Sequence, residues 1–68
     1  MKKYFVRYAF QYEAPLGYRT IESWAFIFLK EVTEKTVRAE VLERIDAKFG
    51  EEMIDSITTI DIKALNLV

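Results

Sequence analysis

The chain has 68 residues, is 51% hydrophobic and carries five Phe, four Tyr and one Trp, which leaves room for one domain and lies far from the composition of a disordered segment. It contains neither cysteine nor histidine, so disulfides, the usual zinc ligands, the thiol nucleophile and the imidazole base are excluded together, leaving carboxylates, lysines, tyrosines and hydroxyls. The formal net charge of −1 gives no general pull toward nucleic acid or an acidic membrane surface.

From Tyr4 to Tyr12 the residues Tyr4, Val6, Tyr8, Phe10 and Tyr12 alternate with Phe5, Arg7, Ala9 and Gln11. A period of two with this aromatic content predicts a strand at about residues 3–12. The only proline, Pro15, and one of the two glycines, Gly17, follow between two apolar runs and predict a reversal at about residues 13–18. The next run, about residues 19–31, sets Trp24, Phe26 and Phe28 on one side and Ile21, Ala25, Ile27 and Leu29 on the other. A strand that is apolar on both sides is either covered twice or presents one side to something outside the domain.

A helix is expected at about residues 34–49. Thr33 is a suitable N-cap, with Thr36 as a competing start, and Glu34 suits the positive end of the helix dipole. Val37, Val41, Leu42, Ile45 and Phe49 then form one apolar stripe, with a mixed-charge opposite face on which Glu40 and Arg44 stand one turn apart. Gly50 fits the left-handed position at which helices commonly stop. Glu51 to Ser56 reads equally as a short helical turn or as the approach to a strand. The last strand is expected at about residues 57–66, with Ile60, Ile62 and Ala64 opposing Asp61, Lys63 and Leu65.

Residues 1–68 therefore form a single ββαβ domain of the α+β class. A hairpin makes the first two strands antiparallel, and a helical crossover returns the third parallel to the second. The favoured order is 2-1-3, a mainly antiparallel three-stranded sheet with the first strand central and the helix on one face; 1-2-3 is the alternative. One helix covers one face only, so apolar side chains remain on the other. The candidate anchors for that surface are Phe5, Trp24, Phe26, Ile27 and Phe28, and the expected occupant is a second copy of the chain or a partner protein. One-residue register changes invert a strand, so either Trp24, Phe26 and Phe28 or Ile27 and its neighbours face outward.

Nothing in the sequence supports catalysis. Glu51, Glu52 and Asp55 match neither a calcium-loop nor a glycosidase spacing, and Gly17 and Gly50 are too far apart to cradle a phosphate. No cofactor and no metal are expected. The alternative function is single-stranded nucleic-acid binding through the aromatic and basic first strand, with Lys2, Lys3, Tyr4, Arg7 and Tyr8 as its candidates beside Phe5. The charge is uneven, with a net +3 over residues 1–30 and −4 over residues 31–68, but the negative total, the small number of basic residues and the lack of a ribonucleoprotein-type motif stand against it. The longest apolar run, Trp24 to Leu29, is far short of the about 20 residues of a membrane span, and Arg7 interrupts the signal-like start, so the expected location is the cytoplasm.

The layout, with Lys2-Lys3-Tyr4-Phe5-Val6 opening a first strand, a Gly17-Tyr18 turn and one capped helix before a last strand, resembles the short uncharacterised proteins of bacteriophages and other mobile elements. That resemblance implies an inhibitor or accessory factor that acts by binding a protein, and implies no reaction.

Overall fold

A computed structural model describes residues 1–68. The chain folds as β1 (Lys2–Ala14), β2 (Gly17–Leu29), α1 (Glu34–Phe49), a short α2 (Glu51–Ser56) and β3 (Ile57–Leu67). The three strands form one antiparallel sheet in the order β2-β1-β3. This is the 2-1-3 arrangement with the first strand central. No helix is long and apolar enough to cross a membrane.

The β1–β2 hairpin is longer and tighter than the sequence suggests. Pairing continues to Ala14↔Gly17, so only Pro15 and Leu16 lie in the turn. Proline holds its φ near −65°, and no residue other than glycine has a positive φ. The left-handed backbone that a two-residue hairpin usually places at its tip is therefore supplied one residue later, by Gly17 at φ 127°.

Alternation along β1 decides what is buried. Val6, Tyr8 and Phe10 face α1, where they pack with Ile27 and Leu29 of β2, Val37, Val41 and Ile45 of α1, and Ile60 of β3. Phe10 meets Phe49 edge-on at a centroid distance of 5.4 Å. At about 25 cal/mol per Å2 of apolar surface removed from water, this single cluster supplies most of what holds so short a chain together.

β2 ends at Leu29, two residues before the expected end, because the chain is drawn into the helix cap. The Thr36 hydroxyl has one proton to donate, with the carbonyls of Glu31 at 2.7 Å and Thr33 at 3.0 Å as its acceptors, the former the shorter, and it accepts from the Thr33 N–H at 3.0 Å. The Thr33 hydroxyl oxygen accepts in turn from the Thr36 N–H at 3.1 Å. Thr36 is thus no rival start but the second half of a capping box centred on Thr33.

At the other end of α1, the Gly50 N–H donates to the Asp46 carbonyl at 2.9 Å with φ 99° and ψ 163°. The positive φ is as expected, but the ψ is extended rather than left-handed helical. Gly50 breaks α1 and α2 begins at the next residue, which resolves residues 51–56 as helix. α2 lays Met53 and Ile54 against the core.

Two side chains tie α1 to β2. Arg44 Nε donates to the Phe26 carbonyl at 3.1 Å, and Lys48 Nζ donates to Ser23 Oγ at 2.9 Å. The first replaces the expected Glu40–Arg44 pair on the helix surface. The second satisfies Ser23, the one buried polar residue.

β3 departs from simple alternation. Arg7 pairs with Ala64 but Tyr8 with Ile62, and Gln11 pairs with Thr59 but Tyr12 with Ile57. Lys63 and Thr58 are the extra residues of two β-bulges. Thr58 is held in place by its hydroxyl, which donates to the Gln11 carbonyl at 3.2 Å. The phase change at Lys63 corrects the sequence reading of this strand: Ile57, Ile60, Ile62 and Leu65 share the α1 side, while Ala64 turns to the other face.

Candidate interaction surface

The face turned away from α1 is built from odd residues of β1 and even residues of β2. The pairs Lys3↔Phe28, Phe5↔Phe26, Arg7↔Trp24, Ala9↔Glu22 and Gln11↔Thr20 stack along it in rows. β3 extends those rows with Asn66 beside Phe5, Ala64 beside Arg7, Asp61 beside Ala9 and Thr59 beside Gln11. Rows on one face are separated by about 6.8 Å, two residues of strand.

The first three rows form an aromatic cluster. Phe5 stacks on Trp24 at 6.0 Å and meets Phe26 edge-on at 5.9 Å, while Trp24 and Phe26 lie at 5.7 Å and 79°. Such ring pairs contribute about 0.5–1.5 kcal/mol beyond their buried area. They nevertheless leave Trp24 57%, Phe26 41% and Phe28 46% exposed. Lys3 Nζ sits 4.6 Å from the centroid of the Phe26 ring, a cation–π contact. Lys3 and Arg7 are the only ionisable groups on these rows.

The remaining rows differ in chemistry. Ala9 has the smallest side chain on its row, and around it lies a depression of about 170 Å3 bordered by Gln11, Thr20, Thr59 and Asp61. Glu22 stands on the same row as Ala9 and Asp61. Asp61 pairs in its own chain only with Lys63, loosely, at 3.9 Å. Exposed pairs of this kind contribute little, so Asp61 is only weakly held, and Glu22 has no ion-pair partner within the chain. The open face is thus aromatic and cationic at one end and polar and anionic at the other.

Four of the five candidate anchors, Phe5, Trp24, Phe26 and Phe28, are together on this face. Ile27 is not. It is fully buried on the α1 side, because the register that turns Trp24 and Phe26 outward turns the residue between them inward, and it belongs to the core. The candidate nucleic-acid set is split in the same way. Lys3 and Arg7 are on the open face, whereas Lys2, Tyr4 and Tyr8 alternate to the α1 side and Tyr8 is wholly enclosed. Glu51, Glu52 and Asp55 are exposed along α2, with no convergence of three potential metal ligands anywhere in the chain. The odd phase of β1 already places Ala9 beside Phe5 on this face; sequence reading missed Glu22 and Asp61, whose positions depend on strand register.

A second concavity of about 380 Å3 lies between the end of β2 and the outer side of α1, where Phe28, Leu29 and Ala39 meet Glu31, Glu40 and Glu43. Partial burial, reinforced by the neighbouring Glu43 carboxyl, holds the Glu40 carboxyl above its ordinary pKa, against a smaller opposing pull from Arg44. A carboxyl whose pKa is raised on folding binds more protons in the native state, so stability declines as pH rises from the unfolded pKa through the folded one. Glu40→Gln is therefore expected to raise the thermal midpoint at neutral pH. The gain should vanish as pH falls below the usual carboxylate range, as measured by thermal unfolding across a pH series.

No protein-family model matches the chain, and no curated protein or solved structure matches it either.

Proposed function

We propose that the protein is a non-catalytic interaction module that self-associates through the open sheet face. The observation that carries this reading is the cluster of Phe5, Trp24 and Phe26, three rings in mutual contact on the one face that no element of the chain covers. Contiguous aromatic surface on a small protein marks a contact site, and Trp is among the residues that dominate such contacts.

The edges of the sheet favour the face as the contact. The outer side of β2 is occupied at Phe26 by Arg44, and β3 carries two bulges and the charged pair Asp61 and Lys63. Bulges and charges of this kind discourage strand-to-strand joining. The size and layout suit an inhibitor or accessory factor of a phage or mobile element, acting by contact rather than by chemistry.

The experiment is the molar mass in solution by light scattering over a wide concentration range. A dimer of the 8.0 kDa chain supports the reading, and a monomer throughout removes it.

One observation favours a second reading. Lys3 and Arg7 accompany the exposed rings with no carboxylate on their rows, a pattern that serves single-stranded nucleic acid, where bases stack on rings and phosphates meet cations. Binding to oligonucleotides that weakens steeply with salt would support it.

A further inference from the structure

The open face is self-complementary about one particular axis, and we infer that the second copy stacks on it face to face with a twofold axis running across the strands between the Phe5 and Arg7 rows. This deepens the self-association reading and rests on it. A twofold interface places residue i on j and j on i, so a choice of axis fixes every contact. With the axis between these two rows, Trp24 of each copy lies on Phe26 of the other, and Arg7 lies over the ring of Phe5.

The next row out then lands on the depression at Ala9. Lys3, opposite Ala9 of the second copy, reaches a hollow of about 170 Å3 with Asp61 on its border and Glu22 on the same row. Two stacked sheets cross at about 30°. Lys3 stands one and a half rows, or about 10 Å, from the axis, so the crossing moves its partner by about one strand to Glu22 or Asp61. The charge is unopposed on the Glu22 side of Ala9, and on the Asp61 side Lys3 competes with Lys63 of that copy for the carboxylate.

Other axes match less well. An axis through the Arg7 row sets the two Arg7 side chains against each other. An axis between the Arg7 and Ala9 rows sets Phe5 and Phe26 against Gln11, Thr20 and Thr59, which withdraws the rings from one another. Only the axis between the Phe5 and Arg7 rows encloses the aromatic cluster at the centre and leaves oppositely charged groups at the rim, the usual anatomy of a stable interface.

The test uses charge reversal at exposed positions, each variant being checked for native circular dichroism. Lys3→Glu alone and the double substitution Glu22→Lys with Asp61→Lys should each weaken self-association at least tenfold at low salt. An equimolar mixture of the two should recover the wild-type affinity as a heterodimer, because both rims are then matched again. Variants that dimerise like the wild type, or a mixture that fails to recover, overturn this arrangement. In either case loss of the dimer on Trp24→Glu would leave the self-association reading standing. A wild-type monomer would overturn both, and oligonucleotide binding by that monomer would assign the face to nucleic acid instead.

Discussion

Ile27→Asp should leave no folded protein at neutral pH, whereas Phe28→Asp, one residue further on, should leave the fold intact. Ile27 is fully buried among Val6, Val41 and Ile45, while Phe28 is 46% exposed on the opposite face. Removing a buried isoleucine costs about 2–5 kcal/mol in transfer and cavity terms. An unpaired carboxylate put in its place adds a desolvation penalty of several kcal/mol more. A domain of this length has a total stability of roughly 3–10 kcal/mol, so the substitution exceeds what the fold can lose. Far-UV circular dichroism and urea titration of the two variants decide the matter. A cooperative native transition in Ile27→Asp would mean that β2 runs in the opposite phase, and with it the whole assignment of the open face would fail.

Trp24→Glu has its expected effect on association and not on folding. The indole is 57% exposed and makes its contacts with Phe5 and Phe26 on the uncovered face, so the core does not depend on it. A central aromatic anchor commonly contributes at least about 2 kcal/mol to an interface. In a twofold dimer the substitution acts twice, giving about 4 kcal/mol, or roughly a thousandfold in the dissociation constant. Sedimentation equilibrium on the variant should return a monomer with a native spectrum. A dimer that persists unchanged would show that the rings of this face are not the contact.

Much of the fold is legible in the residues. The alternation from Tyr4 to Tyr12, the capping threonine at 33 and the stripe from Val37 to Phe49 each carry a local physical signal. The strand order is not carried by any residue: a hairpin and a helical crossover allow both 2-1-3 and 1-2-3, and the structure shows the former. Three features are not local, and they are the ones that shape the surface. The phase of β2 cannot be read from its own residues because both of its sides are apolar; it is decided by pairing with β1, which puts Ile27 beside Tyr4 and Phe26 beside Phe5. The bulges of β3 appear only when its residues are counted against those of β1. Arg44 looks like a partner for Glu40 one helical turn away, and it becomes a donor to Phe26 only because α1 lies along β2. Of the candidate surface, the aromatic anchors are visible in the sequence, whereas the acidic row of Glu22 and Asp61 exists only after strands distant in the chain are brought together.

The two bulges in β3 also bear on how this chain can change in length. In a regular strand a one-residue insertion or deletion inverts every side chain beyond it, sending core residues to solvent. At Lys63 and Thr58 the extra residue has no partner on β1, so its loss would straighten the strand while Ile57, Ile60, Ile62 and Leu65 kept their side. β3 thus holds two positions at which an indel is compatible with the core. The same loss would leave a flatter, less interrupted edge, so the variant that tolerates the deletion would be the one most prone to joining strand to strand with its neighbours.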